Sequence, residues 1–192
     1  MALKIEYLPG ATPLDAAELE GLIPTHLRTQ GQLDEWESEG VIEGILWAGR
    51  FRRDPLTERF CCELHRRMFG GTWDWAGEFR RSDKNIGVDW HRIGIELREA
   101  LETARYWVEN RTFGPRETAA RFHLRLAQVH PFPNGNGRHA RAMADVLCSS
   151  MGGAKIDWGP IGRAGSNRDE YLAAVRAADR GDFGPLIAFV GG

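Results

Sequence analysis

The chain has 192 residues, 42% hydrophobic and 27% charged, which is ordinary globular usage; it excludes collagen-like, wholly disordered and low-complexity chains and leaves one domain with a core of its own. Its 25 Lys and Arg against 27 Asp and Glu give a formal charge of -2, so no global basic field is present to hold nucleic acid. No run approaches the ~20 apolar residues of a membrane span, and the opening MALKIEYLPG lacks a signal-peptide apolar region. Cys61, Cys62 and Cys148 read as reduced thiols of a cytoplasmic protein, the adjacent pair being too strained for a disulfide.

Thr12-Pro13-Leu14-Asp15 reads as a helix start, with Thr12 capping, Pro13 in the first turn and Asp15 completing a capping-box-like pattern; a short helix to about Leu22 follows. From Leu33 to Trp47 the apolar residues fit helical spacing imperfectly, while Glu35, Glu39 and Glu43 recur on one face, either solvated or inhibitory. Asp54-Pro55 opens a cleaner helix with Leu56, Phe60, Leu64 and Met68 along its core side. Gly70-Gly71-Thr72-Trp73 breaks it. Phe79 to Val88, polar around Ser82-Asp83-Lys84-Asn85, suits a loop or short hairpin, the only β structure expected.

Ile93, Leu97, Leu101, Ala104 and Trp107 mark a long helix between Trp90 and Asn110. Pro115 opens another, through Ala119, Phe122, Leu126 and Val129, which must end by Pro131. Helical spacing resumes from Asn136 to Ser150, and Asn167 with Glu170 opens a helix carrying Tyr171, Leu172, Val175 and Ala178. With no repeat, linker or charge block, the chain reads as a single domain over 1–192, mainly α with one hairpin. The spacing of the tryptophans favours packing over base stacking, and Cys61-Cys62 with His65 lacks the second ligand pair of a zinc site.

The informative segment is HPFPNGNGRHAR, His130 to Arg141, set between two helical stretches. Gly135 and Gly137 permit close backbone approaches, so the amides around Gly135, Asn136, Gly137 and Arg138 can converge on an anion. The helix amino terminus that follows favours negative charge, and Arg138 and Arg141 share one face of it. Together they suit a polyphosphate. His130, closing the preceding helix, is the general-base candidate, since a neutral imidazole beside a nucleotide accepts a proton from an attacking hydroxyl. Phe132 between two prolines anchors the loop in the core, and His139 is expected to be structural or to support the residues that line the site.

This segment resembles the signature of the Fic family, His-x-Phe-x-Asp/Glu-Gly-Asn-Gly-Arg-x-x-Arg, through His130, Phe132, Gly135, Asn136, Gly137, Arg138 and Arg141. At about one in twenty per residue type, chance agreement has odds on the order of 10⁻⁹ per starting position. The resemblance implies a Fic-type helical fold with a small β-hairpin flap, a core at about 55–190 and an N-terminal helical segment at about 12–50. It implies a protein adenylyltransferase: His130 deprotonates a Ser, Thr or Tyr hydroxyl of a target protein or of the chain itself, which attacks the α-phosphorus of ATP and expels pyrophosphate. Gly135, Asn136, Gly137, Arg138 and Arg141 would hold the phosphates with Mg²⁺, and Arg138 rather than lysine favours nucleotidyl over phosphoryl transfer.

The Ala76-to-Arg80 approach to Asn85-Ile86-Gly87 looks like the family's target-docking flap, which makes Lys84, Asn85, Ile86 and Gly87 target contacts by strand addition. Ile42-Glu43-Gly44 resembles the family's inhibitory helix, implying that Glu43 pairs with Arg141; an antitoxin partner is the other restraint that the family implies. Tyr171 to Asp179 is similar to the mobile mystery protein B subgroup. Asn134 departs from the pattern, standing where Asp or Glu would ligate magnesium, and its uncharged oxygen weakens metal binding unless phosphates and waters supply most of it. The alternative is therefore a degenerate nucleotide-binding module acting as a regulator or toxin relic.

Overall fold

A computed structural model describes residues 12–50, 53–159 and 166–191. The MALKIEYLPG terminus lies outside the described residues. Eight α-helices form among those described: α1 (Ala16–Glu20), α2 (Gln30–Gly49), α3 (Glu58–Phe69), α4 (Ile93–Glu109), α5 (Pro115–Val129), α6 (Asn136–Ser150), α7 (Ser166–Asp179) and α8 (Gly184–Gly191). A 3₁₀ turn at Trp90–Arg92 leads into α4. The helix at the carboxyl end, α8, is too short and too evenly apolar to be told from its spacing.

Local chemistry sets most of the boundaries. The cap of α1 is Asp15, which accepts from Glu18 N–H while the Glu18 carboxylate accepts from Asp15 N–H, so the capping box stands three residues beyond the Thr12 start read from sequence. Thr29 with Gln32 builds the same box for α2, and Thr57 caps α3. Pro115 occupies the first turn of α5, where its missing N–H costs nothing. Pro131 helps to end α5, because a proline excludes the residue before it from the right-handed helical region.

The helices α5 and α6 are joined by the segment 130–135 and pack on each other at the centre. α3 and α4 cover one side, where Phe60, Leu64, Met68, Leu97, Leu101, Phe122, Leu126, Phe132 and Met143 form the main core. Fully burying each large side chain contributes roughly 1.5–3 kcal/mol. α2 lies against α3 through Gly40 and Gly44, whose missing side chains admit Met68. On the other side, Ala119, Ala120 and Ala144 leave a shallow face that receives Tyr171, Ala174 and Ala178 of α7 and Leu186 and Val190 of α8.

The expected small β-hairpin is not formed: the isolated bridge between Leu22 and Trp73 lies outside 79–88, which is a loop of bends without strand residues. Its backbone is fastened instead by a buried arginine, Arg80, which supplies the donors that a paired strand would have supplied. No helix among the described residues is long and apolar enough to cross a membrane.

Candidate active site

His130 closes α5 in the left-handed conformation, φ 51 and ψ 60, with its N–H on Leu126 O at 3.0 Å. A β-carbon makes that conformation unfavourable by roughly 1–2 kcal/mol, so neighbouring contacts must hold it. Arg80 does so: its fully buried guanidinium donates Nε–H to His130 O at 2.8 Å and Nη1–H to Ser82 O at 2.8 Å, and reaches Val88 O through Nη2. One cation thereby ties the flap loop to the backbone of the histidine. Gly87 completes the contact, since a β-carbon there would stand 2.7 Å from His130 Cβ.

The imidazole is oriented at both nitrogens. Nδ1 lies 3.4 Å from Ala127 O and carries the proton in that contact, leaving the Nε2 lone pair to accept from the Thr12 hydroxyl at 2.8 Å. Burial pushes its pKa down to about 4, with Arg80 and Lys84 adding to the effect against the Ala127 bond, so the ring is neutral at physiological pH. A neutral base hydrogen-bonded to a hydroxyl is the arrangement that proton abstraction requires.

The turn that follows is braced from beneath. Phe132 is fully buried and stacks on His65 at a ring separation of 3.8 Å. His65 accepts from Gly77 N–H at Nδ1 and so donates from Nε2 to Asn134 O, both at 3.0 Å, while His139 approaches Cys61 O at 2.9 Å. Asn136 Oδ1 accepts from Phe132 N–H and its Nδ2 donates to Phe132 O, which closes the turn on itself. The side chain of Asn136 therefore shapes the turn, and it is its backbone amide that remains to meet an anion. Gly135 caps α6 at φ 76, where a β-carbon would strike the Phe69 ring at 2.6 Å.

Above this base the first-turn amides of α6, at Asn136, Gly137 and Arg138, precede the first N–H that has an acceptor in the turn, that of His139 on Gly135 O at 2.9 Å. Arg141 lies over the Tyr171 ring at 5.5 Å, and Tyr171 is hydrogen-bonded to His123 Nε2 at 2.9 Å. Arg138 stands over the Phe69 ring at 4.7 Å and pairs with the Glu37 carboxylate at 2.6 Å, whose other oxygen accepts from Trp73 Nε1 at 2.7 Å. A cavity of about 770 Å³ joins Thr12, His130, Gly137, Arg138, Arg141 and Tyr171. That volume suits a small-molecule ligand.

The structure brings His130, Asn134, Gly135, Asn136, Gly137, Arg138 and Arg141 to this one cavity, with Ile86 and Gly87 at its edge. Asn85 is exposed. Lys84 is turned to the chain itself, its ammonium nearly buried between Glu18 at 2.5 Å and Asp15 at 3.5 Å. Glu43 is exposed on α2, as are Glu35 and Glu39, and the expected Glu43 pairing with Arg141 gives way to Glu37 on Arg138. The reason is register: Leu33, Glu37, Gly44 and Ala48 form the buried stripe of α2, and Glu43 faces away from it. A lone carboxylate on that stripe is the signal that would have found Glu37.

Arg80, His65 and the placement of Thr12 were not legible, since each depends on contacts across the fold. For a metal the turn offers one uncharged oxygen, Asn134 Oδ1, which already accepts Gly135 N–H at 2.6 Å. No cluster of three or more His, Cys, Asp or Glu suited to a metal occurs among the described residues. These residues do not by themselves build a resident magnesium site.

The sequence model of the Fic/DOC family matches residues 55–148, from the approach to α3 through most of α6. The chain carries a Fic/DOC family domain. Among curated proteins it is similar to the protein adenylyltransferase Fic of Aedes aegypti, 28% identical over 143 residues, and of Drosophila melanogaster, 28% identical over 147. These matches cover 72% and 74% of this chain but only 28% and 29% of those proteins. In fold it is similar to the Bartonella tribocorum effector BepC, a structure with bound AMPPNP, at TM-score 0.71 and 18% identity over 92% of this chain and 96% of that one. A Fic-1 structure from C. elegans matches at TM-score 0.64 and 25% identity, over 91% of this chain and 51% of that one.

Proposed function

We propose that the chain is a protein adenylyltransferase, transferring AMP from ATP to a protein hydroxyl. The observation that carries this reading is the neutral imidazole of His130 hydrogen-bonded to a hydroxyl on the same cavity as two guanidinium groups and the α6 amino terminus. The Asn136, Gly137 and Arg138 amides and the Arg138 and Arg141 side chains take the phosphates. His130 Nε2 accepts the hydroxyl proton as the oxygen bonds to the α-phosphorus and pyrophosphate departs. Magnesium enters with ATP, as part of the substrate. Ile86 and Gly87, at the cavity edge, meet the target backbone, with Asn85 beside them; Lys84 does so only if it leaves Glu18.

The reading takes the chain as one Fic domain of a cytoplasmic protein, near the mobile mystery protein B subgroup, restrained by its own N-terminal helices through Glu37 on Arg138 or by an antitoxin. A second reading, a nucleotide-binding module without turnover, is favoured by the neutral and already engaged Asn134 oxygen. Incubation with labelled ATP and Mg²⁺ separates the two. Label entering the chain or a lysate protein, and lost in His130→Ala, supports the transferase; ATP binding without incorporation, also after Glu37→Gln, supports the module and refutes the transferase.

A further inference from the structure

Resting on the transferase reading, we propose that Thr12 is an acceptor of this site, adenylylated in cis by the chain that carries it. Thr12 is 7% exposed, and its hydroxyl lies 2.8 Å from His130 Nε2 on the wall of the cavity that holds the phosphate-binding turn. Its carbonyl accepts from Asn134 Nδ2 at 3.2 Å, so the Asn134 side chain grips the segment that bears the hydroxyl.

The rest of the segment is seated on the flap. Asp15 accepts from Ser82 Oγ at 3.1 Å and faces Lys84 at 3.5 Å, Glu18 binds the same ammonium at 2.5 Å, and Trp75 Nε1 donates to Glu18 O at 2.9 Å. The flap loop beside the histidine is thus occupied by the chain's own residues. The hydroxyl is also in the one place where the free lone pair of the base is directed. No other hydroxyl can use that lone pair while Thr12 does, and a reactant held in place reacts as an intramolecular partner.

The step balances without a further reactant. The proton of Thr12 Oγ1 passes to His130 Nε2, the oxygen bonds to the α-phosphorus of ATP, the bond from that phosphorus to the β-phosphate bridging oxygen breaks, and pyrophosphate leaves. Solvent then takes the proton from the imidazole. The reaction stops at one AMP per chain, since the ester has no second proton to offer.

The full chain is incubated with ATP and Mg²⁺, wild type and Glu37→Gln in parallel, and read by intact mass and by peptide mass spectrometry, with lysate proteins assayed separately. One AMP on the Thr12 peptide is expected, with a half-time unchanged on dilution of the chain. Thr12→Ala should reduce the chain's own label to the His130→Ala background, and Thr12→Ser should restore it. Label on lysate proteins with Thr12 unmodified overturns the proposal and leaves the transferase reading standing; label on no protein with either chain overturns both. A half-time that shortens in proportion to chain concentration overturns the assignment in cis.

Discussion

Replacing Glu37 with glutamine tests whether an internal carboxylate competes with phosphate for Arg138. Glu37 is 4% exposed, and its two oxygens take Arg138 at 2.6 Å and Trp73 Nε1 at 2.7 Å. Glutamine keeps an oxygen for the tryptophan but turns an NH₂ toward the guanidinium, donor against donor. A hydrogen bond to a charged group is worth about 1.5–3 kcal/mol. Because the Arg138 side chain is 31% exposed and recovers hydration, the net loss is discounted to about 1–2 kcal/mol. At about 2–4 °C per kcal/mol for a chain of this size, the melting temperature should fall by roughly 2–8 °C. The released Arg138 returns a similar energy to a bound triphosphate, tightening ATP by about 5–30-fold. Calorimetric titration with ATP beside thermal melting reads both. A lowered melting temperature with unchanged or weaker ATP affinity would refute competition, and a variant unchanged in both would refute the ion pair itself.

Arg80→Met strips donors from the carbonyls of His130, Ser82 and Val88; steady-state kinetics should show kcat falling by about 10²-fold or more with little change in KM, because misplacing the base leaves the phosphate turn intact. Gly135→Ala forces a β-carbon against Phe69 at a positive φ, and should cost more than about 1 kcal/mol in chemical denaturation and weaken ATP binding. Burial lowers the folded pKa of His130 and His139 to about 4 and of His123 to about 3, and that of His65 well below the ordinary range. The unfolded chain takes up these protons first, so their stabilisation is complete above about pH 6.5 and is lost as pH falls, by about 1.4 kcal/mol per pH unit around pH 5 for each of His123, His130 and His139, with His65 acting in the same direction. Denaturant midpoints from pH 7 to 4.5 measure it. The same neutral His130 predicts transferase activity without an inflection near pH 6.5, which a pH–rate profile checks.

The amphipathic spacing of 93–107 and 115–129, and the glycines and arginines of 135–141, were enough to place α4, α5 and α6 and to gather one turn at a helix amino terminus. Those features are local: a helix is marked by its own spacing and caps, and the turn before α6 by its own glycines. The missing hairpin shows the limit. The polar run around Lys84 is compatible with a strand or a loop, and the burial of Arg80 against His130 O, 50 residues away, settles the matter.

From the order of its residues alone, this protein's helical class and the glycine- and arginine-bearing turn at the start of α6 were determined, because each rests on neighbours a few positions apart. Only the folded chain decided which glutamate meets Arg138 and that Thr12, 118 residues from His130, supplies the hydroxyl at its imidazole. Both depend on how α2 and the N-terminal segment are turned against α6. Glu37 and Glu43 lie about 120° apart around the helix and about 9 Å apart along it, so the face that α2 turns inward fixes which of them is buried.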